Sequence, residues 1–354
     1  MEIVTYIMIA FAVLGAIDRL IGNKFGLGEE FEKGIKLMGV MTLTMTGMLV
    51  LAPTLVHLLS GAKYVFPGEL DFSIIPSIFI ANDMGASVLA DGLAKSPEVG
   101  LFSGLIVSSM LGATISFSLP YAMEVADKRH HKNILFGFLC GIVTVPVGCF
   151  VGGLMVGVPV LSLLLNMIPL VVVGGLIAFF LVKFPNGTTK VFKWFGYFMK
   201  VVITLGLVVG IVQFLTKTEI IPYSKDFMEA MEVVINASCV MAGAFPLLFI
   251  IKKLIKKPMG ALGKKIGINE VSAFGFLATM GSFVHACKDY DEMDEKGVVL
   301  VSAFSVSGAF TLVGHLAYTL AINSSCVPAV IVSKIISAVF GVILAIILYK
   351  RRKI

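Results

Sequence analysis

Ile74-Ile75-Pro76-Ser77-Ile78-Phe79-Ile80-Ala81-Asn82-Asp83-Met84-Gly85-Ala86-Ser87-Val88-Leu89-Ala90 places a carboxylate inside a run otherwise fit for lipid. An ionised side chain at the bilayer centre costs roughly 2.5–3.5 kcal/mol on insertion scales, so such groups face a protein interior or a watery cavity. Pro76, Asn82 and Gly85 interrupt the run with residues that end or reverse a helix. The stretch therefore reads as a broken element that carries a charge to the middle of a membrane, as transporter substrate sites do.

The rest of the chain agrees with a membrane setting. Its 354 residues are 58% hydrophobic and 14% charged, with mean hydropathy +0.98. A soluble domain of that length cannot hide so much apolar surface, and a membrane barrel would show short alternating segments. The fold class expected is an all-α polytopic membrane protein. The 36 glycines suit helices that approach closely in lipid. The net charge of +6 is spread over loops and does not form a nucleic-acid surface. Five cysteines without a C-x-x-C pair read as buried small hydrophobes.

Eleven apolar segments follow: 3–21, 37–59, 72–90, 98–123, 133–157, 160–182, 194–216, 230–251, 268–286, 298–322 and 327–349. The first is read as a retained span and not as a signal peptide, because no Lys or Arg precedes it. If all eleven cross, Lys and Arg divide 13 to 13 between the two sides, against the positive-inside tendency. If 72–90 and 268–286 instead enter and return as re-entrant hairpins, the division becomes 22 inside to 4 outside. That arrangement has about nine transmembrane helices and two hairpins, with the N-terminus outside and the C-terminus, with Lys350-Arg351-Arg352-Lys353, in the cytoplasm.

A shift of 196 residues lays hairpin on hairpin. It matches Met84-Gly85 with Met280-Gly281, Ser109 with Ser305, and Gly112-Ala113 with Gly308-Ala309. Five crossings separate equivalent elements, so the two copies, approximately 31–157 and 227–349 of a single transport domain, form an inverted repeat with broken helices meeting mid-membrane.

Asp83 is the first site candidate, to hold a cation or a proton, with a structural ion pair to Lys334 or Lys200 as the alternative. Asn82 is placed to read a hydroxyl or to cap a half-helix. Gly85 allows a tight turn. The second tip, Ala278-Thr279-Met280-Gly281-Ser282, offers the hydroxyls of Thr279 and Ser282. His315, in an apolar span, suits a proton relay or an interhelical bond. Asn166, before Ile168 and Pro169, is a polar group at depth whose default role is interhelical hydrogen bonding. Phe79 and Phe283 could face a cation, though core or lipid packing is the plainer reading. No nucleotide, metalloprotease or nucleophile-elbow motif occurs. The expectation is therefore a protein without catalysis, cofactor or metal, whose transport is passive or coupled to H⁺ or Na⁺.

At particular residues the chain resembles the ethanolamine permeases of ethanolamine-utilisation operons. These are Ala16-Ile17-Asp18-Arg19, Phe31-Glu32-Lys33-Gly34, Leu51-Ala52-Pro53, Asp83-Met84-Gly85, Gly141-Ile142-Val143-Thr144-Val145-Pro146-Val147-Gly148-Cys149 and Asn166-Met167-Ile168-Pro169. The resemblance implies uptake of ethanolamine across a bacterial inner membrane, with the bilayer as surroundings, no nucleic acid, and room for a homo-oligomer. It also marks departures: the chain is shorter than typical members, and Gly314 stands before His315 where they carry an acid. The alternatives left open are an ion-coupled carrier for another small polar solute and a non-transporting membrane assembly protein.

Overall fold

The computed structural model describes residues 2–352; Lys353 of the basic tail lies outside them. The described residues form helices and no strand. In chain order these are α1 (Glu2–Leu20), α2 (Leu27–Leu58), α3 (Ile74–Phe79), α4 (Ala86–Leu93), α5 (Pro97–Val125), α6 (Lys128–Met155), α7 (Val160–Lys183), α8 (Pro185–Thr216), α9 (Phe227–Leu254), α10 (Lys256–Ile266), α11 (Glu270–Gly281), α12 (Phe283–Lys288), α13 (Glu295–Gly308), α14 (Gly314–Asn323) and α15 (Val327–Arg352). Eight of the helical runs, α14 and α15 counting as one, are long and apolar enough to cross a membrane.

Among the expected spans, about nine in number, the one at 298–322 carries a break. That stretch is broken between Gly308 and Gly314 into α13 and α14, and α14 then turns back at Ser324–Cys326 into α15, because His315 and Lys334, nineteen residues apart, lie 3.0 Å from each other. The cause of the break is tertiary. Phe310 takes a left-handed conformation (φ 60°), and its N–H and that of Leu312 donate to the carbonyls of Thr279 (3.0 Å) and Met280 (2.9 Å) at the end of α11.

The 72–90 and 268–286 stretches are broken too. After α3 the chain is extended at Ile80 and Ala81, makes one turn over Asn82–Met84, and restarts at Gly85 with φ 102°. A side chain at Gly85 would be strained by that φ, and its Cβ would lie 2.1 Å from Met48 Cγ. In the second stretch extended backbone at Ser282 separates α11 from α12. The two ends of each stretch are tied together. Lys95 N–H donates to Asp71 Oδ2 (2.7 Å), and Lys95 Nζ donates to the carbonyls of Phe66, Gly68 and Leu70. Likewise Asn269 N–H donates to Asp294 Oδ1 (3.0 Å) and its amide to the Glu292 carbonyl (2.7 Å), while Lys296 reaches the Ile266 carbonyl.

α5 lies at the centre, almost wholly buried, with wide π turns over Phe102–Gly112 and Thr114–Ser118. α15 packs on α6 and α13. Contact there is backbone to backbone: a Cβ on Gly148 would sit 2.2 Å from the Ser333 carbonyl. Small residues permit such approach in lipid, where dispersion and hydrogen bonds hold helices together. The result fixes Ser333 and its neighbour Lys334 against a rigid wall.

Candidate functional site

Lys334 is fully buried in the middle of α15. Its Nζ donates to the Ser109 carbonyl of α5 (2.7 Å) and to His315 Nδ1 of α14 (3.0 Å). An ammonium has donors only, so Nδ1 accepts and the neutral imidazole carries its proton on Nε2. His315 is itself buried, beside the Phe310 ring at 5.3 Å, with its carbonyl accepting from Thr319 Oγ1 (2.6 Å).

The turn bearing Asp83 packs against α5, α14 and the Thr42–Thr46 turn of α2. Asp83 is half-buried. It and Lys334 attract each other through space, yet no ion pair within 4.0 Å reaches Asp83 among the described residues. Asn82 is completely buried, and neither its amide nitrogen nor its amide oxygen has a hydrogen-bond partner. Such groups are rare in folded proteins because each loses its hydration without replacement. One turn on, Ser87 Oγ donates to the Asn82 carbonyl (3.2 Å) and shares a 2.5 Å hydrogen bond with Tyr318 of α14, one turn after His315. Tyr318 also feels the charge of Asp83.

The second tip reaches this cluster through backbone. Thr279 is buried with an unpartnered hydroxyl, while its carbonyl receives Phe310 N–H. Ser282 does not join it. With Gly281 it lines a separate cavity of about 240 Å³ among Glu30, Lys33, Lys252 and Asp289. Asn166 stands apart as well. Its amide nitrogen donates to the carbonyls of Glu69 (2.8 Å) and Ser162 (2.9 Å), and its oxygen accepts from Asp71 N–H (2.7 Å). That amide is fully used in holding the segment ahead of α3. Phe79 packs on Phe195 and Phe283 on Phe138, which is core packing.

The structure thus brings Asn82, Asp83 and His315 close to Ser87 and Tyr318, which sequence reasoning did not single out, and to Lys334, which it named only as a structural ion-pair partner. The signals available were an unpaired cation in α15 and hydroxyls one helical turn from Asp83 and His315. Next to Asp83, Met84 lines a cavity of about 580 Å³ that extends past Thr44 and Tyr121 to the charged residues Glu124, Lys193 and Lys200. A polar centre walled by apolar helices, with a cavity at the neighbouring Met84, can hold a small cation. Among the described residues no cluster of three or more His, Cys, Asp or Glu is arranged to hold a metal.

Comparison with known proteins is consistent with that chemistry. The model of a family described as ethanolamine utilisation protein, EutH, matches residues 1–348. A protein of Listeria monocytogenes named probable ethanolamine permease EutH is 41% identical, over 99% of this chain and 94% of its own length. Its namesake in Escherichia coli is 34% identical, over 98% and 95%. An uncharacterized protein, YxeR, of Bacillus subtilis is 33% identical, over 96% and 92%. No solved structure matches. On near-complete coverage by the family model and by relatives above 30% identity, this chain belongs to the EutH family of ethanolamine utilisation proteins.

Proposed function

We propose that the chain is a carrier that takes ethanolamine across the bacterial cytoplasmic membrane as its ammonium ion. The observation that carries the reading is Asp83: a half-buried carboxylate on a helix break, without an ion pair, next to an amide with no partner of its own. Ethanolamine at neutral pH is a small ammonium with one hydroxyl. The carboxylate holds the charge, and the Asn82 amide, which can both donate and accept, reads the hydroxyl. The relatives named probable ethanolamine permeases support the choice of substrate. With no nucleotide-binding motif in the chain, movement follows a gradient.

In this reading 72–90 and 268–286 are re-entrant hairpins of an inverted repeat, one entering from each side. Support comes from the bonds that tie the two ends of each stretch together. The orientation, N-terminus outside and C-terminus in the cytoplasm, is supported by basic loops that meet one another. Arg129 pairs with Asp291 at 2.8 Å and holds that carboxyl below the ordinary carboxylate range, and Lys253 donates to the Phe25 carbonyl.

The test is uptake of labelled ethanolamine into proteoliposomes, with protein-free vesicles subtracted for leak of the neutral amine. Asp83→Asn removes the charge-assisted bond, worth about 1.5–3 kcal/mol, so uptake at low substrate falls roughly tenfold to a hundredfold with unchanged protein yield. Wild-type uptake by Asp83→Asn removes Asp83 from the site.

A further inference from the structure

We propose that Lys334 is an internal ammonium that competes with the substrate ammonium for Asp83, so that ethanolamine binding expels one proton from Lys334 by way of His315. The inference rests on the carrier reading above and adds what is exchanged for the substrate.

Lys334 has three N–H groups. Two are donated, to the Ser109 carbonyl and His315 Nδ1, and among the described residues no acceptor takes the third. A lysine kept only as structural glue would be expected to touch its carboxylate, because a buried charge without contact compensation is costly. Here Asp83 attracts Lys334 without touching it. The groups that face Lys334 are few. The break between α3 and α4 brings Asp83, α6 brings the thiol of Cys149, α14 brings His315, and α5 brings a carbonyl. At the α13 contact Ser307 is engaged with Ser337 at 2.7 Å. Among the described residues Asp83 is therefore the carboxylate that acts on Lys334.

Charge counting then decides what binding does. Without substrate the buried group holds one negative and one positive charge and is neutral. An arriving ethanolammonium adds a positive charge to a site screened from water, and loss of one proton restores neutrality. His315 is placed to take it. The Nζ–H bond of Lys334 breaks, an Nδ1–H bond forms, and the Nε2 proton is given up to solvent. Lys334 becomes a neutral amine whose lone pair accepts from Nδ1–H, so the 3.0 Å hydrogen bond survives with donor and acceptor reversed. Release of substrate on the far side runs the steps backwards. Each cycle exchanges one ethanolammonium for one proton and moves no net charge.

The experiment is calorimetric titration of the purified full chain in nanodiscs with ethanolamine hydrochloride at pH 7, in two buffers of different ionisation enthalpy. The wild type is expected to release about one proton per ethanolamine bound. Lys334→Gln is expected to bind with no proton release. Lys334→Arg keeps a positive charge that cannot be shed, so its binding is expected to weaken roughly a hundredfold or more. Wild-type binding without proton release, or wild-type affinity in Lys334→Arg, overturns the inference and leaves the carrier reading standing. Absence of ethanolamine binding in the wild type overturns the carrier reading, and this inference with it. If Lys334→Gln fails to fold, the wild-type proton count still decides.

Discussion

Asn82→Leu separates a residue kept for a ligand from one kept for the fold. Asn82 is wholly buried, and both polar atoms of its amide lack partners. Each unsatisfied buried group costs about 1–3 kcal/mol. Leucine has the same branched outline and no polar atom to leave unpaired; its larger methyls overpack the site at a cost of about 1–3 kcal/mol. Two relieved groups, together about 2–6 kcal/mol, outweigh that at mid-range and leave a stabilisation on the order of 2 kcal/mol in the observed conformation. Thermal unfolding of the detergent-solubilised protein should therefore shift upward, while proteoliposome uptake of ethanolamine is lost. A gain in stability with loss of transport marks a group whose partner arrives with the substrate. If Asn82→Leu unfolds at lower temperature than the wild type, the amide is satisfied within the protein and the argument for its role fails.

The other expectations concern packing and placement. Gly112→Ala would set a Cβ 2.1 Å from the Ile80 carbonyl and 2.7 Å from that of Ser77, backbone that cannot rotate away, so it should lower stability by up to about 3 kcal/mol and disturb the Asp83 turn. Gly175→Ala, in α7 with nothing within 4 Å, should be neutral or stabilising by about 1 kcal/mol; equal effects of the two in a thermal shift assay refute the packing account. Asn166→Leu leaves the buried Asp71 N–H without its partner and the Glu69 carbonyl with only the 3.5 Å bond from Ser162 Oγ, and should cost about 1–3 kcal/mol in the same assay, with transport per folded molecule unchanged. Single cysteines at Lys63 and Lys95, in a background with the exposed Cys239 replaced, should label from the same side of the membrane, opposite to a cysteine at Asp291; labelling of 63 and 95 from different sides ends the hairpin reading.

Much of this was legible in the chain. Composition dictates helices, because apolar backbone in lipid must satisfy its hydrogen bonds within each element. Breaks at Ile80–Gly85 and at Ser282 fall where helix-ending residues sit beside polar ones, and Asp83 drew notice by its cost alone. The third break, between α13 and α14, was not legible. Phe310 is an unlikely residue for positive φ, and only the carbonyls of Thr279 and Met280, some thirty residues earlier, make that conformation worthwhile. The Lys334–His315 bond was hidden for a related reason. The two residues lie on different helices, and their meeting depends on the turn between α14 and α15 and on how α15 seats against α6. Ser282 shows the converse limit. It is three residues from Thr279, yet the extended backbone at the break turns it toward the Lys33–Lys252 cavity.

The hydrogen bonds set a closely packed part of the protein beside helices tied to it at a few points. Lys334 belongs to the closely packed part, because α15 is locked to α6 at Gly148, where no side chain intervenes. His315 is on a tied helix. α14 is held at its start by Phe310 and Leu312, which hang on the end of α11, and at Tyr318 by Ser87 of α4. Both broken stretches therefore pull on the one helix that carries the lysine's partner. A shift of either by the width of a hydrogen bond changes the 3.0 Å contact between His315 and Lys334, and so changes how easily the lysine loses its proton. On the exchange proposed above, occupancy at Asp83 and protonation at Lys334 would be coupled through two backbone hydrogen bonds and one hydroxyl pair.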